Sequence, residues 1–364
     1  MLFRSLAGAT ELQGGDPVTT AGRSFNGNVN AAAKSGATDI QARFRVEDSV
    51  VYGDASAVAP VAMGALIGLG TFDIGVRSAA TLETVKTCVL GLNGFDKGSF
   101  DINGNPSFTA DCAVQANSGN KTGMTQEGKA LIKARKFAIT GGQKTNNFSP
   151  MPTEGVPSIP DPYASLPFPA YSTCVGNEKA LDIKITTDLV PGTYCGGISI
   201  SGANVRMAPG EYVMVGGSFA ISGGAVVTGN EVMIGFTGGD STLRLWGNSS
   251  LTVTSPVSGT WKNMQFMVDP ASVDAQRTWV SIGGSSGNAD GTPKLTYDGV
   301  AYFGTQNFWV YGNAVIEANS PTVAIVADKI WVQGSATVDI TSKNPRKLDV
   351  GRGPEIIVGV RLLK

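Results

Sequence analysis

The sequence predicts a mainly β protein: a right-handed parallel β-helix, or β-solenoid, behind a small α+β lead-in. Three observations carry this reading. The first is a recurring phrase of alternating apolar residues, a glycine, small residues and apolar residues again. It occurs as DINGNPSF (101–108), SISGANVRM (199–207), AISGGAVV (220–227), RLWGNSSL (244–251), WVYGNAVI (309–316) and WVQGSATV (331–338). The second is its period: Gly202, Gly223 and Gly247 lie 21 and 24 residues apart, and Gly312 and Gly334 lie 22 apart. A repeat of this length, with strands and no helical periodicity, points to coils stacked along an axis. The third is composition. Glycine makes up 48 of 364 residues and charged residues only 16%, while 42% hydrophobic residues supply a core, which separates the chain from disordered sequences.

Within one coil, inward residues alternate with outward ones, so Ile200 and Ile221 are expected to point into the core. The glycine ends the strand where a Cβ would crowd the corner. The corner positions are Gly104, Gly202, Gly223, Gly247, Gly312 and Gly334. Asn105, Asn248 and Asn313 follow such glycines, suit a left-handed backbone and allow an asparagine ladder. The phrases PGTYCGG and PGEYVMVGG place Pro191-Gly192 and Pro209-Gly210 before a tyrosine. Both read as type II turns, with Tyr194 and Tyr212 stacked between coils. A propeller or a sandwich is the competing architecture, but neither keeps so fixed a phrase.

Four regions follow. Residues 1–95 form the lead-in: a loop over 1–45, a strand over 44–57, a short helix over 58–70 led by Pro60, and strands over 74–83 and 86–93. Residues 96–142 hold the first solenoid-like strands, including KFAITGG. Residues 143–180 are a connector dense in proline (Pro150, Pro152, Pro157, Pro160, Pro162, Pro167, Pro169), extended because proline cannot join a ladder. Its aromatic residues Tyr163, Phe168 and Tyr171 indicate packing along a surface. Residues 181–364 form the main solenoid, interrupted by a long loop over 255–298 and closed by a strand-like tail that caps the open edge.

Charge and composition exclude several functions. The net charge of −1 offers no attraction to nucleic acid or anionic lipid. The chain contains no histidine, which removes Ser-His-Asp, Cys-His and HExxH chemistry. No run of about 18 apolar residues marks a membrane span, and the N-terminus shows no signal-peptide pattern. Cys88, Cys112, Cys174 and Cys195 fit no zinc spacing. Their separations of 24 and 21 residues are close to one coil and suggest Cys88–Cys112 and Cys174–Cys195. Four cysteines permit three pairings, and buried free thiols are the alternative. Disulfides place the chain in an oxidising compartment.

A polysaccharide-active solenoid needs paired carboxylates. The acidic residues Asp182, Asp188, Glu211, Glu231, Asp240 and Asp269 are read as turn or edge residues, with no acidic residue at the same position of two adjacent copies. Asp290, Asp298, Asp328 and Asp339 are the best acid candidates. Trp246, Trp261, Trp279, Trp309 and Trp331 are read as packing between coils, with a sugar-stacking surface as the alternative. No calcium-binding nonapeptide occurs, and no cofactor or metal is expected.

The phrases TCVLGLN, CAVQANS, DPYASLPFP, PGTYCGGISISG, PGEYVMVGG, VTGNEVMIGFTGG, SPVSG, DGVAYF and AIVADKIWVQGSATVDI resemble the TadG-like proteins of bacterial tight-adherence (Flp) pilus systems. The resemblance covers roughly residues 45–342. It implies a non-enzymatic periplasmic or cell-surface scaffold working with other pilus-assembly or minor pilin-like proteins. It also implies a membrane helix, absent from this sequence, as the only membrane attachment. A secreted adhesin or glycan-binding solenoid is the alternative, and a polysaccharide-active enzyme a third.

Overall fold

A computed structural model describes residues 16–34, 36–48, 50–60, 70–144, 147–176, 179–272, 278–284, 292–318, 324–341 and 355–363. The chain divides into two compact units, residues 1–85 with 356–364, and residues 86–355.

The first unit begins with helix α1, Pro17–Ala33. The Asp16 carboxylate accepts from the Thr19 N–H at 3.0 Å, and Pro17 occupies the first helical position, where a missing N–H costs nothing. This helix replaces the loop expected there. Strands β1 (Thr38–Glu47), β2 (Val50–Pro60) and β3 (Thr71–Gly91) pair antiparallel in sequence order, with Phe44 opposite Gly53 and Tyr52 opposite Ala79. A Cβ on Gly53 would stand 2.8 Å from the Phe44 ring, so the glycine makes room for that ring. β3 is one strand where two were expected, and its residues from Lys86 on belong to the second unit. Pro60 ends β2 instead of leading a helix, and 61–69 lie outside the described residues. The strand Glu355–Leu363 falls with the first unit from Ile356 on, not with the solenoid unit.

The second unit is a solenoid of parallel strands arranged in three ladders. The third ladder has ten strands, one per coil. The order of coils along the axis differs from the order in sequence. It runs 181–189, 192–207, 210–229, 232–253, 264–297, 300–318 and 325–340. The strand pairs Ile330–Phe100 and Val338–Phe108 then set the coil 87–110 on the C-terminal one. The coils 113–133 and 136–149 complete the stack. The early strands are therefore not a separate module; they continue the main solenoid beyond its last coil.

The proline connector resolves this topology. In the first ladder, Ala138, Gln115, Leu90, Val326, Tyr302, Met267, Gly235, Val213 and Thr193 form one column of register partners. Thr153 pairs with Ala138 at one end, and Cys174 pairs with Thr193 at the other. Between these two bridges the connector returns along the outside of the column, a path of roughly 40 Å at ~4.8 Å per coil.

The core is a set of in-register apolar columns. Ile183, Ile200, Ile221, Leu245, Ile282, Val310, Val332 and Ile102 follow one another through eight coils of the second ladder. From Ile200 onward each is at most 1% exposed, and each such side chain contributes about 1.5–3 kcal/mol on burial. At the corner, Gly334 rests on Gly312 and Gly104 rests on Gly334. A Cβ at Gly104 would meet the Gly334 carbonyl at 2.8 Å, and φ there is 92°. The glycine column thus runs straight across the junction between the last coil in sequence and the first.

Two sequence expectations change in this unit. The 255–298 segment is not one loop: Met264–Val268, Trp279–Gly283 and Lys294–Tyr297 supply all three sides of the fifth coil. Gly192 and Gly210 open strands, with φ of 154° and 138°, far from the ~80° of a type II turn. A Cβ on Gly210 would strike Pro191 at 2.7 Å, so here the glycine accommodates the proline of the neighbouring coil. The Tyr194 and Tyr212 rings stack at 6.1 Å and 11°, although strand register sets Tyr212 beside Gly192. Their hydroxyls donate to the Val190 and to the Leu189 and Ala208 carbonyls respectively.

Candidate functional site

The candidate acids are held by separate structural partners. Asp298 is 4% exposed and accepts from both the Ser255 N–H (2.6 Å) and hydroxyl (2.8 Å), tying together the corners that follow the paired strands Ser250–Val253 and Lys294–Tyr297 of adjacent coils. Asp328 accepts from the Asn93 amide at 3.1 Å. Asp269 accepts from Thr237 at 2.9 Å and from the Ala271 N–H. Asp182 pairs with Lys184 at 2.6 Å. Asp290 lies outside the described residues. One expectation is corrected: Glu317 and Asp339 are register partners in adjacent coils, with Lys294 on Glu317 at 3.1 Å. No group of three or more potential metal ligands occurs among the described residues.

The four cysteines form Cys88–Cys112 and Cys174–Cys195, with Cα separations of 5.8 and 5.6 Å, within the usual range. The first joins neighbouring coils, where Thr87 pairs with Ala113; the second fastens the end of the connector to the coil 192–207, where Cys174 pairs with Thr193. Their presence fits an oxidising environment. No helix among the described residues is long and apolar enough to cross a membrane.

The outward side of the first ladder is apolar and covered. Leu90, Met233, Met264, Met267, Val300, Tyr302 and Val326 form a second buried cluster, against which Ile159, Tyr163, Leu166, Phe168 and Trp261 pack. The connector is fastened by specific bonds. The Gln115 amide donates to the Pro157 carbonyl at 2.8 Å. Asn117 both donates to the Ile159 carbonyl (2.7 Å) and accepts from its N–H (2.9 Å). The Tyr302 hydroxyl donates to Asp161 at 2.7 Å, and Trp261 donates to the Pro167 carbonyl at 3.0 Å. Phe168 lies over Gly235, where a Cβ would come within 2.9 Å of its ring. Burial, with the Asp161 charge adding to it, pushes the Tyr163 phenol up to about 12 and Tyr302 in the same direction. Both stay neutral across the physiological range, so Tyr302 keeps the proton it donates to Asp161.

The outward side of the second ladder holds the other four tryptophans, all partly exposed. In successive coils one column reads Arg244, Ser281, Trp309, Trp331, Asp101 and Thr125. The flanking columns carry Trp279, Asn307 and Lys329 on one side, and Gly283 with Tyr311, then Gln333 with Asn103, on the other. Trp279 meets Trp309 at 5.5 Å and Trp331 at 4.7 Å, and Trp309 stacks on Tyr311 at 4.2 Å and 28°. The rings are pinned. Trp309 donates to Gln333 at 3.1 Å and Trp331 to the Gly98 carbonyl at 2.8 Å. A Cβ on Gly283 would come within 2.5 Å of the Tyr311 ring, so the glycine lets that ring lie against the strand. Arg244 sits 5.9 Å from the Trp246 ring and Lys329 5.9 Å from that of Trp331. Beside this aromatic area, Asp101 accepts from Thr125 and from the Asn103 amide. Burial raises its carboxyl pKa, with the Thr125 hydrogen bond opposing.

The tryptophans thus divide. Trp261 belongs to the connector cluster, whereas the other four lie on the outward side of the second ladder, where Trp279, Trp309 and Trp331 pack between successive coils. The signal was present in WVYG and WVQG: if Val310 and Val332 point inward, alternation sends Trp309 and Trp331 outward. No family model, curated protein or solved structure matches the chain.

Proposed function

We propose that this chain is a non-enzymatic scaffold of the bacterial cell envelope, periplasmic or surface-exposed, acting in tight-adherence (Flp) pilus assembly with minor pilin-like partners. The observation that carries the scaffold reading is the continuous ladder. Ten coils share continuous columns, the chain fastens its own connector along them, and two disulfides staple adjacent coils and the connector's end. The candidate acids Asp298 and Asp328 serve that framework through Ser255 and Asn93. The pilus reading rests on the resemblance. The phrases that carry it coincide with the closing parts: TCVLGLN and CAVQANS hold one disulfide and the connector anchors Gln115 and Asn117, DPYASLPFP is the connector, and PGTYCGG holds Cys195. Disulfides favour an exported location.

The test is a deletion strain. Loss of surface pili by electron microscopy is expected, with restoration by the intact gene and recovery of the protein, free of alkylatable thiols, from the envelope fraction. Normal piliation in the deletion strain overturns the pilus reading. Release of reducing ends from polysaccharides by the purified protein overturns the non-enzymatic one.

A further inference from the structure

We propose that the outward aromatic surface of the second ladder binds an uncharged pyranose polysaccharide, laid along the solenoid axis across Trp279, Trp309 and Trp331. This goes beyond the scaffold reading and stands without it.

The placement argues for a ligand surface. The first ladder's outward apolar side chains are covered by the chain itself. On the second ladder the rings alternate with the buried column Ile282, Val310 and Val332, so they project away from the core. Large aromatic side chains left in partial contact with water mark an interaction surface. Here they are also held in place: Trp309 and Trp331 have their indole N–H groups bonded and their orientations set by neighbours. Flat rings fixed in advance suit the C–H faces of sugars, since little ordering is left for binding to supply.

The adjoining coils provide the hydroxyl-binding half. Gln333, Asp101 and Asn103 present amide and carboxylate groups beside the rings, repeated at the ~4.8 Å coil spacing. A polymer with a regular repeat can meet rings and then hydrogen-bonding groups in successive coils. Charge selects its class. Arg244 and Asp101 have opposite sign, and Lys329 is paired with Asp96 at 2.7 Å. The surface therefore offers no block of positive charge for an acidic polysaccharide or nucleic acid.

The experiment uses the full chain in affinity electrophoresis and tryptophan-fluorescence titration. The probes are hydroxyethylcellulose, an N-acetylglucosamine hexamer, and polygalacturonate. Retardation or quenching by either uncharged probe, with little response to polygalacturonate, is the expected result. Preference for the N-acetylated hexamer points to an envelope glycan, and preference for the glucan to an external one. Trp279→Ala and Trp309→Ala are each expected to weaken binding about tenfold. Trp309→Phe is expected to keep most of it, and Thr252→Ala on the third ladder all of it. Unchanged affinity in Trp309→Ala, with native disulfides and a cooperative melting transition, overturns the proposal. So does no response to either uncharged probe, or equal binding of polygalacturonate.

Discussion

Two outward faces of one solenoid treat apolar surface in opposite ways. On the first ladder, Leu90, Val326, Tyr302 and Met267 lie under Ile159, Tyr163, Leu166 and Phe168 of the connector. On the second, Trp279, Trp309, Tyr311 and Trp331 pack against one another and remain partly exposed. Both faces use a glycine to seat a ring, Gly235 under Phe168 and Gly283 under Tyr311. The local chemistry is the same and the occupant differs. An apolar stripe covered by its own chain contributes to stability, while the partly exposed one is the surface proposed for glycan binding.

Substitutions should separate the faces. The largest effect is expected where the covered face is broken. Tyr302→Ala removes a fully buried ring and the donor to Asp161, and should cost about 3–5 kcal/mol in denaturant unfolding. A loss under about 1 kcal/mol would show that the connector is only loosely attached. The next effect is alkaline. Tyr163 has its phenol raised to about 12, above the ~10 of an unfolded chain. Folding favours the neutral form, so this contribution is complete below pH ~10 and is lost as pH rises through about 12. Melting temperature should fall across that window, and less steeply in Tyr163→Phe. The smallest effect belongs to the open face. Trp309→Ala should cost about 1–2 kcal/mol, well under Tyr302→Ala, because its ring is partly solvated already. Equal losses for the two alanine variants would erase the distinction between the faces.

Much of the solenoid was legible because its code is local. A glycine at each corner and isoleucine or valine between outward residues mark the strand phase, and Ile200, Ile221 and Gly334 could be placed from the phrase alone. The neighbour of each coil was not legible. The phrases at 101–108 and 331–338 are equivalent as strings, and nothing local states that Gly104 rests on Gly334. The connector's path depends on Gln115 and Asn117 meeting backbone groups some forty residues later, contacts that polar residues in a strand do not announce. Helix α1 was read as loop because its residues are small and polar, although Asp16 and Pro17 supply its start. Asp298 was read as an acid of one long loop, because the strands on either side of its turn, Lys294–Tyr297 and Val300–Tyr311, were hidden by a segment longer than the repeat.

The stacking of the coil 325–340 between 300–318 and 87–110 also bears on how the molecule is made. A solenoid whose sequence order matches its spatial order can add coils from one end as synthesis proceeds. Here the coils 87–149 emerge first, yet the edge they present at Phe100 and Phe108 finds its partner only after Val338 has been made. Two blocks must each form an edge and then join, a long-range closure that slows assembly. Removal of the chain beyond residue 324 would therefore excise a coil from the middle of the stack and leave two facing, unsatisfied hydrogen-bonding edges.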